Sequence, residues 1–248
     1  MVSRRHDGVK RIFPDMSSPQ FIVEGGRTLK GSITPTGNKN AALPIVCAAL
    51  LTEEPVTLEN VPRIRDIESL LQLVRQSGAT AEWTGPNTLL ITARAVRGDT
   101  LDAELCKRIR ASILLAAPLL ARAGVVTLAP PGGDVIGRRR LDTHFLALEA
   151  MGAAHEFGER ITFRTKGLVG ADIFLDEPSV TGTENAIMAA VAATGTTVLH
   201  NAASEPHVQD LCRMLVAMGA TIAGIGSNVL TIAGGARLHG CTHRIGPD

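Results

Sequence analysis

The chain has 248 residues, of which 45% are hydrophobic and 20% charged, the composition of an ordinary globular protein. Its 25 Lys and Arg residues nearly balance 24 Asp and Glu residues, and the resulting net charge of +1 excludes a broad, nonspecific binder of nucleic acid. Aromatic residues make up 3%, with no Tyr and a single Trp, which leaves almost no platform for stacking on bases or sugars.

The N-terminal residues 1–20 carry charges without an apolar run behind them. This pattern predicts a disordered extension rather than a secretory signal. The longest apolar stretch, Ala41–Leu51, is well short of the ~20 residues that a bilayer requires, so we expect no membrane association. The four cysteines are widely spaced and form no C-x-x-C pair, which favours buried, reduced thiols in a cytoplasmic protein over disulfides or a zinc site.

One five-element unit occurs three times along the chain. Each copy has an Ala- and Leu-rich helix, a β segment, a polar loop, a second amphipathic helix and a closing β-hairpin. The second helix ends at Gly78, Gly152 or Gly219, a period of about 70 residues. The sequence therefore predicts an α/β fold of three αβαββ-type units, with the apolar first helices packed at the centre and the sheets outside. The alternative is that Gly-Ala after a helix recurs by chance.

The first polar cluster, Thr36–Asn40, directly precedes the first helix. Lys39 at a helix N-terminus, beside free backbone N–H groups and Gly37, suits a phosphate. The alternative is a capping turn in which Asn38 caps the helix and Lys39 is solvated.

A second polar cluster, Lys107–Ser112, opens the first helix of the second unit. Arg110, placed ahead of so apolar a helix, either reaches the surface or points toward an anion.

The third cluster is the loop Pro130–Asp142, which is rich in Pro and Gly and is of the kind that often serves as a lid. Asp134 lies near its tip, with three arginines close behind. Arginines hold a carboxylate ionised, so acid chemistry at Asp134 requires burial or substrate charge to raise its pKa. The alternative is a solvated turn. By themselves, the three clusters predict a phosphate-binding cleft and no particular reaction.

Five strings carry a resemblance to a known family: TPTGNKNAALPIVCAALLTEEPVTLENVP, RASILLAAPLLAR, PGGDVIGRRRLDTHFLALEAMGA, SVTGTENAIMAA and the closing RIGPD. From Phe21 onward, the chain is similar to the UDP-N-acetylglucosamine 1-carboxyvinyltransferase family of enolpyruvyl transferases. The resemblance implies transfer of enolpyruvate from phosphoenolpyruvate to the 3′-hydroxyl of UDP-N-acetylglucosamine, with release of phosphate. That reaction is the first committed step of peptidoglycan synthesis, and it needs neither a cofactor nor a metal.

The resemblance also implies a fold of two similar lobes, each an inside-out α/β barrel of three repeats. Residues 21–37 are then a strand segment belonging to the second lobe and a hinge, residues 38–246 the catalytic lobe, and residues 247–248 a truncated crossover. We therefore expect a truncated, poorly active form that lacks its second lobe. Its exposed inter-lobe face also predicts self-association.

Site residues follow from the resemblance position by position. Lys39 matches the lysine that grips phosphoenolpyruvate, and Asn40 matches an asparagine that contacts the sugar. Arg110 and Arg139 match arginines that bind the substrates' phosphates, and Asp134 occupies the position of the family's reactive loop cysteine, the proposed general acid. The expected catalytic residues are thus Asp134, Lys39 and Arg139. The other expected substrate contacts are Arg140, Leu141, Asp142, Thr143, Glu177, Pro178, Ser179 and Val180.

Two departures from the family strings lie at the expected nucleotide site. Arg140 replaces a usual Pro, and Thr181-Gly182 replaces Gly-Ala. A divergent paralogue with another acceptor sugar, or a non-catalytic nucleotide-sugar-binding module, therefore stays open. The sequence disfavours a 5-enolpyruvylshikimate-3-phosphate synthase, whose usual string has serines after the lysine where this chain has Asn40-Ala41-Ala42. RNA 3′-phosphate cyclases use related repeats, but the neutral charge counts against them.

Overall fold

The computed structural model describes residues 21, 23–26, 28–99, 101–132 and 140–248. Contacts divide the chain into a unit of Met1–Thr34 and a unit of Pro35–Asp248. The predicted extension at residues 1–20 lies outside the described residues. Between residues 21 and 34 the described backbone forms no helix or strand. The assignment of residues 21–37 to a strand segment of a second lobe and a hinge stays a prediction.

The first repeat begins directly after a cap at Asn38 and follows the predicted order. Its elements are α1 (Lys39–Ala48, continued by a 3₁₀ turn at Ala49–Leu51), β1 (Val56–Glu59), α2 (Arg65–Gln76), β2 (Thr80–Trp83) and β3 (Leu89–Thr92).

The second repeat has one helix ahead of the elements that the sequence predicts. Its elements are α3 (Ala103–Arg108), a 3₁₀ segment (Arg110–Leu115), α4 (Ala116–Ala123), β4 (Val125–Leu128), α5 (Asp142–Ala150), β5 (Ala154–Phe157) and β6 (Ile161–Arg164). The additional helix is α3, and the predicted first helix, which starts at Arg110, is formed by the 3₁₀ segment followed by α4. Extended backbone at Ile109 separates α3 from the 3₁₀ segment. The Ser112 hydroxyl stabilises this break, since its oxygen lies 2.9 and 3.0 Å from the carbonyl oxygens of Cys106 and Ile109.

The third repeat is flanked by two short strands that join sheets in parallel. Its elements are β7 (Asp172–Phe174), α6 (Val180–Ala192), β8 (Thr196–His200), α7 (Pro206–Ala217), β9 (Thr221–Ala223), β10 (Val229–Ala233) and β11 (Thr242–Arg244). As predicted, a glycine follows the second helix of each repeat, and Gly78, Gly152 and Gly219 all have positive φ, the left-handed geometry that stops a helix.

Each repeat contributes one sheet. The strand orders are β11-β1-β3-β2, β4-β6-β5 and β7-β8-β10-β9. β11 runs parallel to β1, so the last strand of the described chain completes the first sheet, and β7 pairs in parallel with β8. At the same edge of the second sheet, Thr127 donates its N–H to the Gly98 carbonyl over 2.8 Å without a regular strand forming there.

The first helices of the three repeats form the centre of the Pro35–Asp248 unit, as the sequence predicts. α1 is buried from Ala41 to Ala48, α4 from Ala116 to Leu120, and α6 from Gly182 to Val191. Their many alanines allow close approach of the helix backbones, while the sheets and second helices cover them. This is the inside-out α/β arrangement: helices inside, sheets outside.

The two ends of this unit lie side by side. Gly37 bridges Pro247, and Asn38 donates its backbone N–H to the Gly246 carbonyl over 2.8 Å. In return, the Asp248 N–H donates to the Thr36 carbonyl over 2.9 Å. No helix of the described chain is long and apolar enough to cross a bilayer.

Candidate active site

A cleft of about 370 Å³ opens where the three central helices begin. Its walls come from the starts of α1, of the helical run Arg110–Ala123 and of α6, with further residues from α2 and α7. The lining residues are Lys39, Asn40, Leu43, Pro44, Asp66, Arg108, Ile109, Arg110, Ala111, Leu114, Val180, Thr181, Glu184, Glu205 and His207. Helix N-termini carry partial positive charge, so their convergence makes the cleft suitable for an anion.

Lys39 is the first residue of α1 and lies half-exposed at the cleft. Asn38 caps the helix by accepting a hydrogen bond from the Ala41 N–H over 2.9 Å. The Lys39 ammonium is 3.1 Å from the Asp66 carboxylate. The capping turn that the sequence offered as an alternative is therefore formed, and Lys39 still faces the cleft.

Arg110 begins the 3₁₀ segment of the second repeat and also lines the cleft. Its Nη2 donates to the backbone carbonyl of Arg140 over 2.7 Å, which ties the start of the central helix to the end of the Pro130–Asp142 loop. Arg110 thus lies at the cleft that suits an anion, and its binding of an anion stays a prediction.

Two polar residues shape the start of α6: Ser179, which is partly buried, and Asn185, which is buried. Ser179 caps the helix by accepting from the Gly182 N–H over 3.2 Å. Asn185, six residues later, places Oδ1 3.3 Å from the Ala117 N–H and donates Nδ2 to the Ile113 carbonyl over 2.9 Å. In an α-helix these two backbone groups would bond to each other. The inserted amide therefore explains why the run from Arg110 starts as 3₁₀ and becomes α-helical only at Ala116.

His144 extends the same network to the cleft. Its Nδ1 lies 2.8 Å from Asn185 Nδ2, and its Nε2 lies 3.2 Å from the Thr181 hydroxyl. Burial, with a smaller contribution from the Arg110 charge, lowers the pKa of His144 to about 3. The ring is therefore neutral at physiological pH.

Glu184 is the exception among the buried polar residues of α6. Thr183 accepts from the Ala203 N–H and Asn185 is bonded as above, but Glu184 Oε1 is buried without a hydrogen-bond partner among the described residues. Burial, and secondarily Glu205, raise the pKa of Glu184 well above its ordinary value. Its position in the wall of the cleft thus favours the protonated form of the side chain.

The remaining predicted contacts lie beside the cleft rather than in it. Arg140 is exposed, and its Nε donates to the Asp142 carboxylate over 2.6 Å; this bond is the main cause of the raised pKa of Arg140. Thr143 is buried and donates to Asp176 over 2.8 Å. This bond joins the start of α5 to the segment before α6. The other predicted residues of this region are Leu141, at the N-terminal boundary of α5, and Glu177 and Pro178, both exposed ahead of α6.

Two of the three predicted catalytic residues, Asp134 and Arg139, lie outside the described residues. Of the other predicted positions, the structure brings Lys39, Asn40, Arg110 and Val180 together in the cleft. Sequence reasoning missed Thr181, Glu184, Glu205 and His207. Glu184 had a signal, as a lone charge in the Ala-rich string ENAIMAAVAA, whereas the other three resemble ordinary residues at a helix start.

The electrostatic character of the cleft follows from these groups. Lys39, Arg108 and Arg110 supply positive charge, which the helix N-termini reinforce. Three acids also line the cleft: Asp66 lies 3.1 Å from Lys39, burial raises the pKa of Glu184, and Glu205 adds a further carboxylate. The arrangement can hold an anionic ligand such as a phosphate, with the Thr181 hydroxyl and the Glu184 acid as polar contacts.

Comparison with known proteins points to one family. The sequence model of EPSP synthase (3-phosphoshikimate 1-carboxyvinyltransferase) matches residues 23–248. UDP-N-acetylglucosamine 1-carboxyvinyltransferase from Bradyrhizobium diazoefficiens is 66% identical over 233 residues, covering 94% of this chain and 54% of the relative. The enzyme of the same name from Treponema denticola is 54% identical over 229 residues, covering 92% and 54%. The chain thus spans about half the length of the curated relatives it matches.

Solved structures agree on the fold. The enolpyruvyl transferase NikO from Streptomyces tendae superposes with a TM-score of 0.78 at 25% identity, over 90% of this chain and 53% of that one. An EPSP synthase from Acinetobacter baumannii superposes with a TM-score of 0.72 at 21% identity, over 90% and 51%. At 21% identity, the similarity to the EPSP synthase structure concerns the fold alone.

Proposed function

This chain belongs to the EPSP synthase family of enolpyruvyl transferases, and on that premise we propose that it forms one wall of a site that transfers enolpyruvate from phosphoenolpyruvate to the 3′-hydroxyl of UDP-N-acetylglucosamine. Phosphate is the second product. The reaction would serve peptidoglycan synthesis in the cytoplasm, and hence cell shape and division.

The observation that carries the proposal is the convergence of Lys39, Arg110 and three central-helix starts on one cleft. Phosphoenolpyruvate carries a phosphate and a carboxylate, and a UDP-sugar carries a diphosphate. Both substrates therefore need fixed cations and backbone N–H groups facing the same space. A cleft without charge would not repel the two substrates, but it would also not hold their phosphates in a fixed position.

The proposed chemistry assigns binding and orientation to the described residues. The sugar hydroxyl adds to C2 of phosphoenolpyruvate while C3 gains a proton. The tetrahedral intermediate then loses phosphate from C2 and a proton from C3. Lys39 and Arg110 would hold the phosphate and stabilise the charge that it carries away. Asp134, proposed as the proton donor to C3, belongs to the loop residues outside the described part of the chain.

The names of the relatives favour a UDP-sugar acceptor over shikimate 3-phosphate. Relatives at 66% and 54% identity are UDP-N-acetylglucosamine 1-carboxyvinyltransferases, whereas the EPSP synthase structure shares only the fold at 21% identity. Asn40 after Lys39, in place of a serine, points in the same direction.

The test is phosphate release from phosphoenolpyruvate by this chain, with and without UDP-N-acetylglucosamine, alongside calorimetric binding of each substrate. Lys39→Ala and Arg110→Ala should each lower the rate or the affinity about a hundredfold. Lys166→Ala removes an exposed positive charge outside the cleft and should change neither. UDP-N-acetylglucosamine binding with neither phosphoenolpyruvate binding nor phosphate release would favour the non-catalytic binding module. Binding of phosphoenolpyruvate alone would favour a different acceptor.

A further inference from the structure

The Thr181 hydroxyl ends a chain of hydrogen bonds that starts inside the central helices. The orientation of the first member, the Asn185 amide, is fixed by its backbone partners. The Ile113 carbonyl can only accept, so the group 2.9 Å from it is the amide nitrogen, and Oδ1 faces the Ala117 N–H. Nδ2 has two hydrogens, and the second is directed at His144 Nδ1 over 2.8 Å.

The hydrogen bond from Asn185 to His144 also determines which nitrogen of the ring carries the proton. Because Nδ1 accepts from Asn185, it carries no proton, and a neutral ring must then carry its proton on Nε2. The lowered pKa of His144 keeps the ring neutral over the physiological range. Nε2–H therefore donates to the Thr181 oxygen over 3.2 Å.

The Thr181 hydroxyl is left with its own proton. Its oxygen already accepts from His144, and no other partner of this hydroxyl lies within hydrogen-bond distance among the described residues. Thr181 lines the cleft next to Val180, and Arg110, whose charge helps to lower the pKa of His144, lines the same cleft. The hydroxyl is thus oriented as a donor at the start of α6, where the helix N-terminus and a nearby guanidinium both attract negative charge.

We propose that Thr181 is a ligand-binding residue whose hydroxyl, held as a donor by His144 and Asn185, binds an anionic oxygen of the sugar nucleotide. This inference rests on the proposed function for the identity of the ligand. The hydrogen-bond direction rests on Asn185, His144 and Thr181 alone. Of the two residues before Thr181, Val180 is apolar, and Ser179 accepts from the Gly182 N–H and is not among the residues that line the cleft.

The experiment combines calorimetry with nitrogen-15 NMR of the histidine rings. UDP-N-acetylglucosamine and inorganic pyrophosphate are titrated separately into the wild-type chain, Thr181→Val and Thr181→Ser. Val has the shape of Thr without the hydroxyl, and Ser keeps the hydroxyl. Loss of one hydrogen bond to a charged oxygen should weaken the ligand about tenfold to a hundredfold in Thr181→Val, while Thr181→Ser stays within about threefold of wild type.

The NMR measurement tests the relay without relying on ligand binding. The resonances of His144, identified by their absence in His144→Gln, should report a protonated Nε2 and a bare Nδ1. A proton on Nδ1 would overturn the inference, because Thr181 would then donate to the ring rather than to the ligand. Equal melting temperatures of the two Thr181 variants serve as the control for folding.

The outcomes separate this inference from the proposed function. Tight UDP-N-acetylglucosamine binding that is equal in wild type and Thr181→Val overturns the role of Thr181 and leaves the proposed function standing. Pyrophosphate binding that weakens in Thr181→Val, without any UDP-N-acetylglucosamine binding, supports the directed donor and contradicts the proposed acceptor. A wild-type chain that binds neither ligand contradicts both.

Discussion

The imidazole of His243 donates from Nε2 to Oδ1 of Asp210 over 3.1 Å, and each of these side chains is only 13% exposed. The second carboxylate oxygen of Asp210 accepts the Gly246 N–H over 3.0 Å. Asp210 belongs to α7 and His243 to β11, so the pair fastens a helix of the third repeat to the strand that completes the first sheet.

Replacing Asp210 with Ala should lower the free energy of unfolding by about 2–4 kcal/mol, because two hydrogen bonds to a largely buried carboxylate are lost. Urea denaturation measures this. The chain offers a matched control in Asp172→Ala: Asp172 lies 3.1 Å from His200 but is 77% exposed. That exposed pair should contribute less than about 1 kcal/mol. Equal losses in the two variants would contradict the role given to Asp210.

Asp210 also predicts a pH dependence. Burial raises the pKa of Asp210, but the hydrogen bonds from His243 and Gly246 outweigh it and leave the pKa below its ordinary value. The unfolded chain therefore binds this proton first as the pH falls. The stabilisation is complete above the ordinary pKa of about 3.9 and is lost as the pH drops through the native pKa. Asp210→Asn should remove this acid-sensitive component from the unfolding curves.

Glu184 predicts the opposite trend. Its pKa is raised by burial and by Glu205, so the folded chain keeps the proton above pH 4.5, where the unfolded chain has released it. Stability should fall as the pH rises from 4.5, by up to about 1.4 kcal/mol per pH unit until the native pKa is reached. Glu184→Gln should abolish this slope and be more stable than wild type at pH 8. If the difference in unfolding free energy between wild type and Glu184→Gln is the same at pH 5 and at pH 8, a neutral Glu184 is refuted.

His144 predicts sensitivity to acid. Its native pKa of about 3 lies below the ordinary value of 6.5, so the unfolded chain takes up the proton first. Below pH 6.5 this group should cost about 1.4 kcal/mol of stability per pH unit, down to pH 3. His144→Gln should be less stable than wild type at pH 7, and the difference should shrink at pH 4. His239→Gln, which replaces an exposed imidazole, is the control. A gap that stays constant with pH would argue against a neutral His144.

Gly182 predicts a steric effect at the same helix start. A Cβ at this position would lie 2.8 Å from Thr143 Cγ2 and 3.0 Å from Thr143 Cβ. Thr143 is β-branched and buried, so it cannot turn away cheaply. Gly182→Ala should destabilise the chain by about 1–3 kcal/mol despite the better helix propensity of Ala. In Gly158→Ala, the added Cβ meets only Arg160 O at 4.0 Å and should be tolerated. Thermal melting distinguishes the two variants.

The repeats were predictable from the sequence because they are local patterns. A helix period, a terminating glycine and a hairpin each fall within a few residues, and Gly78, Gly152 and Gly219 mark all three copies. The 3₁₀ start of the second central helix was not predictable. Its cause is Asn185, which reaches backbone groups 68 and 72 residues away. No local pattern carries such a contact.

The candidate site divides in the same way. Lys39 and Arg110 could be predicted, because a cation directly before an apolar helix is conspicuous in sequence. Thr181 and Glu184 could not be assigned a role, because Glu184 is neutral only through burial and Thr181 is oriented only through His144. The parallel pair β11–β1 joins the third repeat to the first, so no single repeat predicts it.

The pairing of β11 with β1 imposes an order on folding during synthesis. Asn60, next to β1, donates to the Ile245 carbonyl, next to β11, across 185 residues of chain. At ribosomal speeds of about 5–20 residues per second, roughly 10–40 s pass between the emergence of the two strands. Throughout that interval β1 has β3 on one side and an open edge on the other. The repeat that leaves the ribosome first is therefore the last to have its sheet closed, and it is the one most exposed to wrong pairing while the chain is being made.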